Sequence, residues 1–211
     1  MKTIIKHNLS RLGILPVLDL IRRLPEIARW IQAGCTGIAP SPVKRMVLSA
    51  YRKQYGLTQF IETGTHLGDT LAYIAQQKNV HATSIELDED YHEAAKQRFV
   101  SYPNVTILQG DSGKLLPELV RELQIPALFW LDGHYSGGDT GKGELDTPVS
   151  AELEAILDSP VKGHVILIDD ARCFNFTNGY PHLDDLLKSA RMTSAYQLEV
   201  SADIIRLTPK L

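Results

Sequence analysis

The sequence predicts an α/β fold: a doubly wound, seven-stranded, mostly parallel sheet with a C-terminal antiparallel hairpin and an N-terminal helical extension. Two observations lead to this prediction. Apolar runs alternate with helical patterns over residues 59–168, which is typical of parallel strands joined by right-handed helical crossovers. Near the C terminus, only Ser201-Ala202-Asp203 separates two strand-like runs, and so short a connection predicts a hairpin.

The elements of the sheet domain follow in order along the chain. The predicted strands are Gln59–Thr63, Ala82–Glu86, Val105–Gln109, Ala127–Leu131, Val165–Ile168, Gln197–Val200 and Ile204–Leu207. The predicted helices are Thr70–Gln77, Asp90–Val100, Gly113–Leu123, Val149–Leu157 and a segment near Leu183–Ala190.

The segment before the first strand predicts helices rather than strands. Residues 9–33 carry apolar residues close to a 3.6-residue period, and we expect helical pieces broken near Pro16 and Pro25. Glycines and prolines between Gly34 and Pro42 mark a linker, and a second helix is predicted over Val43–Tyr55.

The net charge of the chain changes sign close to the end of this second helix. Residues 1–53 hold ten Lys and Arg against two acids, a charge of +8, whereas the remainder holds 12 against 23, a charge of −11. We therefore predict a basic helical extension over residues 1–55 and a second domain, which contains the sheet and, on the resemblance given below, binds a cofactor, over residues 56–211. Two interpretations of the extension are open: it packs against the acidic body, or it makes a weak contact with an anionic membrane surface or another protein. No nucleic-acid partner is expected, because no basic-aromatic module accompanies the charge.

Length and composition limit the classes of protein to which this chain can belong. The 211 residues fit one domain of ordinary globular composition, and Cys35 and Cys173 match no metal or redox spacing. The apolar run Leu12–Ile21 is interrupted by Pro16 and Asp19 and is too short to span a bilayer. The expectation is a soluble, cytoplasmic protein with reduced thiols; a homo-oligomer is left open.

A glycine turn follows the first strand. Its pattern is Glu-x-Gly-x-x-x-Gly, formed by Glu62, Gly64 and Gly68 with Thr65 between the glycines, and it differs from the Gly-x-Gly-x-x-Gly of dinucleotide-binding folds. Glycines at this point allow the backbone to approach a ligand closely. A carboxylate before them suits a cationic or amino-bearing ligand better than a pyrophosphate.

Two further strands end in polar residues on the same edge of the predicted sheet. Glu86 ends the second strand, 18 positions after Gly68, close to the spacing at which a carboxylate binds ribose hydroxyls. Asp111 and Ser112 follow the third strand, where they could bind an exocyclic amine. Helix capping is the alternative for each of them, and Asp111-Ser112 would cap the helix that follows.

With these residues the chain resembles the class I S-adenosylmethionine-dependent methyltransferases, over about residues 58–210 and including the final hairpin. The resemblance implies that Glu62, Gly64, Thr65 and Gly68 shape the methionine side of an S-adenosylmethionine pocket. It further implies that Glu86 holds the ribose, while Asp111 and Ser112 flank the adenine.

Three carboxylates follow the fourth and fifth strands. Asp132 comes after Leu131, and Asp169 and Asp170 come after Ile168, so that neighbouring strands would bring all three together. Oxygen ligands favour Mg²⁺ or Mn²⁺, although Asp169 and Asp170 can share an ion only if the chain turns between them. Capping of local turns is the alternative. The pattern resembles the metal-dependent macrocin-type sugar O-methyltransferases, from which the run Asp132-Gly133-His134-Tyr135 departs.

His134 is the candidate general base, because histidine titrates near neutral pH, and Asp132 is a second candidate. Residues 133–147 form a glycine-rich segment that reads as a substrate loop or as a surface insertion. The predicted function is S-adenosylmethionine-dependent O-methylation of a hydroxylated small molecule, a sugar or polyol on the resemblance, with divalent metal assistance. The alternatives are a nicotinamide-dependent oxidoreductase and a non-catalytic S-adenosylmethionine-binding docking protein.

Overall fold

A computed structural model describes residues 14–133, 148–175, 180–186 and 194–210, with side chains from residue 18 onward. Its centre is a seven-stranded sheet of order β3-β2-β1-β4-β5-β7-β6. The strands are β1 Gln59–Thr63, β2 His81–Glu86, β3 Val105–Gln109, β4 Ala127–Leu131, β5 Val165–Ile168, β6 Tyr196–Ser201 and β7 Ile204–Pro209.

Strand directions confirm the predicted topology. Strands β1 to β5 run parallel, whereas β7 pairs antiparallel with both β5 and β6. The chain winds outward from β1 to β3 and then returns to β4 on the other side of β1. This reversal between β1 and β4 is the topological switch point at which open α/β sheets bind ligands.

Helices cover both faces of the sheet. They are α1 Ile14–Gln32, α2 Ser41–Gln54, α3 Asp69–Ala75, α4 Glu89–Phe99, α5 Ser112–Glu122 and α6 Val149–Leu157, with a 3₁₀ turn at Ala171–Cys173. The predicted helix near residues 183–190 is helical over 183–186, and the rest of it lies outside the described residues.

The first helix corrects one prediction. Instead of pieces broken near Pro16 and Pro25, α1 is one helix from Ile14 to Gln32 with Pro25 inside it. Pro16 falls in the first turn, where the missing amide hydrogen costs little because that amide has no partner within the helix. Pro25 removes one hydrogen bond in mid-helix, and it lies on the exposed side of α1, where the carbonyl that loses its partner can be hydrated.

The apolar core consists of one cluster on each face of the sheet. One face packs Phe129, Leu116 and Ile156 beneath α5 and α6. The other packs Phe60 and Trp130 together with Leu48 of α2. Helix α2 therefore contributes to the same core as β1 and β4, although the division of the chain at residue 55 stays a prediction.

Helix length and polarity bear on the membrane question. None of the helices in the described ranges combines the length and apolar character that crossing a bilayer requires.

Candidate functional site

The C-terminal ends of the five parallel strands form one edge of the sheet, and most of the predicted site residues lie along it. Asp111, Glu86 and Glu62 stand at or just after the ends of the adjacent strands β3, β2 and β1. Asp132 and Asp169 follow β4 and β5, beyond the switch point. Because neighbouring strands lie about 4.8 Å apart, the first three carboxyl groups form one half of the site and the last two form the other.

The glycine turn packs tightly against the end of β4. Gly64 has φ +82°, and a Cβ there would lie 2.5 Å from the Asp132 carbonyl oxygen. Gly68 has φ +72°, and a Cβ there would lie 2.8 Å from the Phe99 ring. Both positions therefore require glycine, for backbone conformation and for space. In the described structure these glycines allow the turn to pack against β4 and α4, and their approach to a bound ligand stays a prediction.

Glu62 is buried beneath this turn. Its side chain accepts a hydrogen bond of 2.7 Å from the Ser84 hydroxyl, whose oxygen lies 2.7 Å from Thr65 Oγ1. Burial raises the pKa of Glu62 to about 8; the Ser84 hydrogen bond opposes this rise and the charge of Glu86 adds to it. Without a ligand, the Glu62 carboxyl is therefore mostly protonated at neutral pH, and a cationic group beside it would favour its ionised form.

Glu86 fixes the segment that follows Gly64. One carboxylate oxygen accepts a hydrogen bond of 2.6 Å from the backbone amide of His66, and the other accepts one of 3.0 Å from the amide of Asp88. Each carboxylate oxygen can accept more than one hydrogen bond, so these contacts leave room for ribose hydroxyls.

Asp111 is the N-cap residue of α5, where its Oδ1 accepts a hydrogen bond of 2.9 Å from the Gly113 amide. The capping interpretation is thus confirmed, and the adenine contact stays a prediction. Ser112 is buried, and its hydroxyl would lie 3.3 Å from a Cβ placed on Gly133. The first turn of α5 therefore lies close to the loop that begins after β4.

The chain turns sharply between Asp169 and Asp170, as a shared site requires. Asp170 adopts a left-handed conformation with φ 56° and ψ 45°, and its amide donates a hydrogen bond of 2.8 Å to Asp169 Oδ1. Oxygens of Asp169, Asp170 and Asp203 all lie within 4.8 Å of one another. Asp203 comes from the β6–β7 turn, and the sequence analysis missed it. Asp132 lies outside this group, and its role as a metal ligand stays a prediction.

Two cations from the protein enter this carboxylate group. Lys44 Nζ of α2 lies 2.6 Å from Asp169 Oδ2 and 3.6 Å from Asp170 Oδ1. Arg172 Nη1 lies 2.7 Å from Asp170 Oδ1 and also pairs with Asp203. Burial alone would lower the pKa of Lys44, but the charges of Asp169, Asp170 and Asp132 outweigh it and raise that pKa.

The Lys44 ion pair also bears on the basic extension. It joins α2, the second helix of that predicted extension, to the carboxylate after β5. A contact of the extension with a membrane surface or another protein stays a prediction. For the metal, the oxygen donors fit a hard divalent ion in type and separation. Their negative charge, however, is already largely matched by Lys44 and Arg172.

A small cavity lies in the second half of the site, between the ends of β4 and β5 and helix α6. It is lined by Leu131, Gly133, Val149, Glu152, Ile168, Asp169 and Tyr180. Burial raises the pKa of Tyr180, as do the negative charges of Asp170 and nearby groups. The cavity therefore places a phenol and the Asp169 carboxylate beside the start of the loop after β4. His134 and residues 135–147 lie outside the described residues, so the predicted base and substrate loop stay predictions.

Solved structures with this fold come from several bacteria. An O-methyltransferase from Bacillus cereus in complex with SAH has a TM-score of 0.59 at 16% identity, covering 91% of this chain and 90% of that one. A putative caffeoyl-CoA O-methyltransferase from Staphylococcus aureus has a TM-score of 0.57 at 12% identity, covering 94% and 100%. The O-methyltransferase TomG from Streptomyces achromogenes, in complex with SAM, has a TM-score of 0.54 at 16% identity, covering 82% and 81%.

These likenesses establish the fold of the chain, and the seven-stranded sheet with its terminal hairpin is the one predicted. By sequence, no protein-family model and no curated protein matches the chain.

Proposed function

We propose that this protein is an S-adenosylmethionine-dependent O-methyltransferase that acts on a hydroxylated small molecule. One observation carries the proposal: Glu62, Glu86 and Asp111 end or follow adjacent strands beside the glycine turn, on one side of the switch point. Two O-methyltransferases of the same fold, whose structures contain SAM or SAH, support this choice of cofactor.

Each residue in the first half of the site would bind a different part of the cofactor. Glu62 would face the cationic amino group, whose positive charge would lower the pKa of the buried carboxyl, so that Glu62 releases its proton to solvent and pairs as a carboxylate. Glu86 would accept hydrogen bonds from the ribose hydroxyls while it holds the backbone of His66. Asp111 and Ser112, at the start of α5, would flank the adenine.

The second half of the site would receive the acceptor. Bound S-adenosylmethionine supplies an electrophilic methyl group. The acceptor hydroxyl would give its proton to Asp132 or His134 as its oxygen bonds the methyl carbon, and the carbon–sulfur bond would break with its electrons going to sulfur. Orienting the two reactants contributes as much as about 7–11 kcal/mol to such a step, which assigns this side of the site mainly a positioning role.

A sugar or polyol acceptor rests on the resemblance to macrocin-type enzymes and on the polar character of this half. The carboxylate cluster gives one argument for divalent metal assistance and one argument against it. The oxygens of Asp169, Asp170 and Asp203 lie close enough to share Mg²⁺ or Mn²⁺. Such an ion would have to displace Lys44 from Asp169, so it would gain less here than at an uncompensated cluster.

Methyl transfer from labelled S-adenosylmethionine to a panel of hydroxylated acceptors tests this function. Transfer to at least one sugar, polyol or phenol is expected, with S-adenosylhomocysteine as the second product. Glu86→Gln should lower transfer mainly by weakening cofactor binding. If the protein binds S-adenosylhomocysteine but transfers methyl to nothing in the panel, a non-catalytic binding protein becomes the better account. Binding of NADH without binding of S-adenosylhomocysteine would favour the oxidoreductase.

A further inference from the structure

We propose that Lys44 is the built-in cation of this site: its ammonium group takes the place beside Asp169 and Asp170 that a divalent metal ion would otherwise fill. The placement of the charge rests on the geometry alone. Its action on an acceptor oxygen rests on the proposed methyltransferase function.

The contacts of Lys44 are those of an inserted cation rather than of a surface ion pair. Its Nζ lies 2.6 Å from Asp169 Oδ2 and 3.6 Å from Asp170 Oδ1, bridging two carboxylates that are adjacent in sequence. The Lys44 side chain is 15% exposed and that of Asp169 is 4% exposed. Paired charges removed from water to this extent are screened weakly by salt, so each strongly affects what else can bind.

The charge balance leaves little for a metal ion. Asp169, Asp170 and Asp203 supply three negative charges, and Lys44 and Arg172 supply two positive charges within the same group. Adding a divalent ion would give the group a net positive charge and would bring that ion close to an ammonium. A divalent ion can therefore enter only if Lys44 leaves, and the entry must break a short buried ion pair.

The Lys44 ammonium group also has N–H donors with which it can bind an oxygen of the methyl-accepting substrate. It carries three donors, and within the described part of the chain one of them is used at hydrogen-bond distance, by Asp169. Asp169 itself lines the cavity beside the loop after β4. An acceptor oxygen placed beside Asp169 would lie within the field of Lys44, which would stabilise the negative charge that develops as the hydroxyl loses its proton to the base. Because Lys44 belongs to helix α2 of the chain itself, its positive charge is present in every catalytic turnover without prior binding of a metal ion.

Titration calorimetry with Mg²⁺ and Mn²⁺ on the whole chain tests the proposal. We expect binding of either ion to the wild type to be too weak to detect. Lys44→Met and Lys44→Gln, which leave Arg172 as the cation beside the carboxylates, should bind at least about tenfold more tightly than that detection limit. Lys44→Arg keeps the charge and should bind neither ion. Lys53→Met, at an exposed position of the same helix, is the matched control and should behave as the wild type.

Two results would overturn the proposal. One is binding of Mg²⁺ or Mn²⁺ by the wild type as tight as that of Lys44→Met or Lys44→Gln. The other is the absence of metal binding from both uncharged variants while they remain folded by circular dichroism. Titration of the same samples with S-adenosylhomocysteine tests the proposed function separately, because Lys44 lies in the acceptor half and its replacement should leave cofactor affinity nearly unchanged.

Discussion

Glu62 should make the stability of this protein fall as pH rises through the neutral range. Its carboxyl has a pKa of about 8 in the folded chain against 4.5 as the ordinary value. Between these two values the unfolded chain has given up this proton and the folded chain still holds it, so the unfolded state gains stability as pH increases. By linkage, this one group lowers the free energy of unfolding by about 2.5 kcal/mol between pH 5 and pH 7.

Glu62→Gln removes the titration while keeping an oxygen that can accept the Ser84 hydrogen bond. Thermal unfolding at a series of pH values should show the wild type losing about 5–10 °C more than the variant between pH 5 and pH 7, from the usual 2–4 °C per kcal/mol at this size. Glu118→Gln, on the exposed side of α5, is the control and should keep the wild-type slope. Parallel curves for the wild type and Glu62→Gln would refute the reasoning that burial holds this proton.

Three further predictions concern the turn, the core and the extension. Gly64→Ala should lower the free energy of unfolding by more than about 2 kcal/mol, because the added Cβ would lie 2.5 Å from a carbonyl oxygen. Gly34→Ala, at a similar φ with nothing within 4 Å, is the control and should cost only about 1 kcal/mol. Equal losses of the two variants in chemical denaturation would contradict this prediction. Burial lowers the pKa of His164 to about 4, so stability should fall as pH drops from 6.5 through 4, and the slope should flatten in His164→Gln; an unchanged slope would show that another group is responsible. Helix α1 exposes apolar residues at positions 18, 21, 24 and 31, so on the membrane interpretation the chain should sediment with anionic vesicles and not with neutral ones. The double variant Arg22→Gln with Arg29→Gln should bind anionic vesicles more weakly than the wild type. Absence of binding to anionic vesicles would exclude the membrane interpretation.

The sheet was largely predictable because its signals are local. β1, β3, β4 and β5 have the bounds that the sequence predicts. The signal is clearest for β1, β4 and β5, whose residues are almost all buried, whereas β3 at the edge of the sheet is half-exposed. The hairpin followed from the short gap between the last two strand-like runs, which in the structure is the two-residue turn Ala202-Asp203. The positions of Glu62, Glu86 and Asp111 followed in turn, because parallel strands end on one edge of the sheet, while their roles toward a cofactor stay predictions.

What could not be predicted depends on contacts between distant parts of the chain. Lys44 and Asp169 are 125 positions apart, and the charge asymmetry indicated a pairing of the extension with the body without naming either residue. Asp203 is a turn residue by its local sequence and reaches Asp170 only because β7 pairs with β5. The helix break expected at Pro25 was wrong for a related reason, since the 19-residue α1 absorbs the loss of one hydrogen bond.

Titration calorimetry with S-adenosylhomocysteine tests the central claim most directly. The account predicts that the wild type binds it, that NADH gives no binding, and that Glu86→Gln weakens the binding by at least about tenfold through the loss of a charge-assisted hydrogen bond to ribose. Absence of binding at millimolar ligand, or equal affinity in the wild type and Glu86→Gln, would contradict the assignment of this strand edge as a cofactor site.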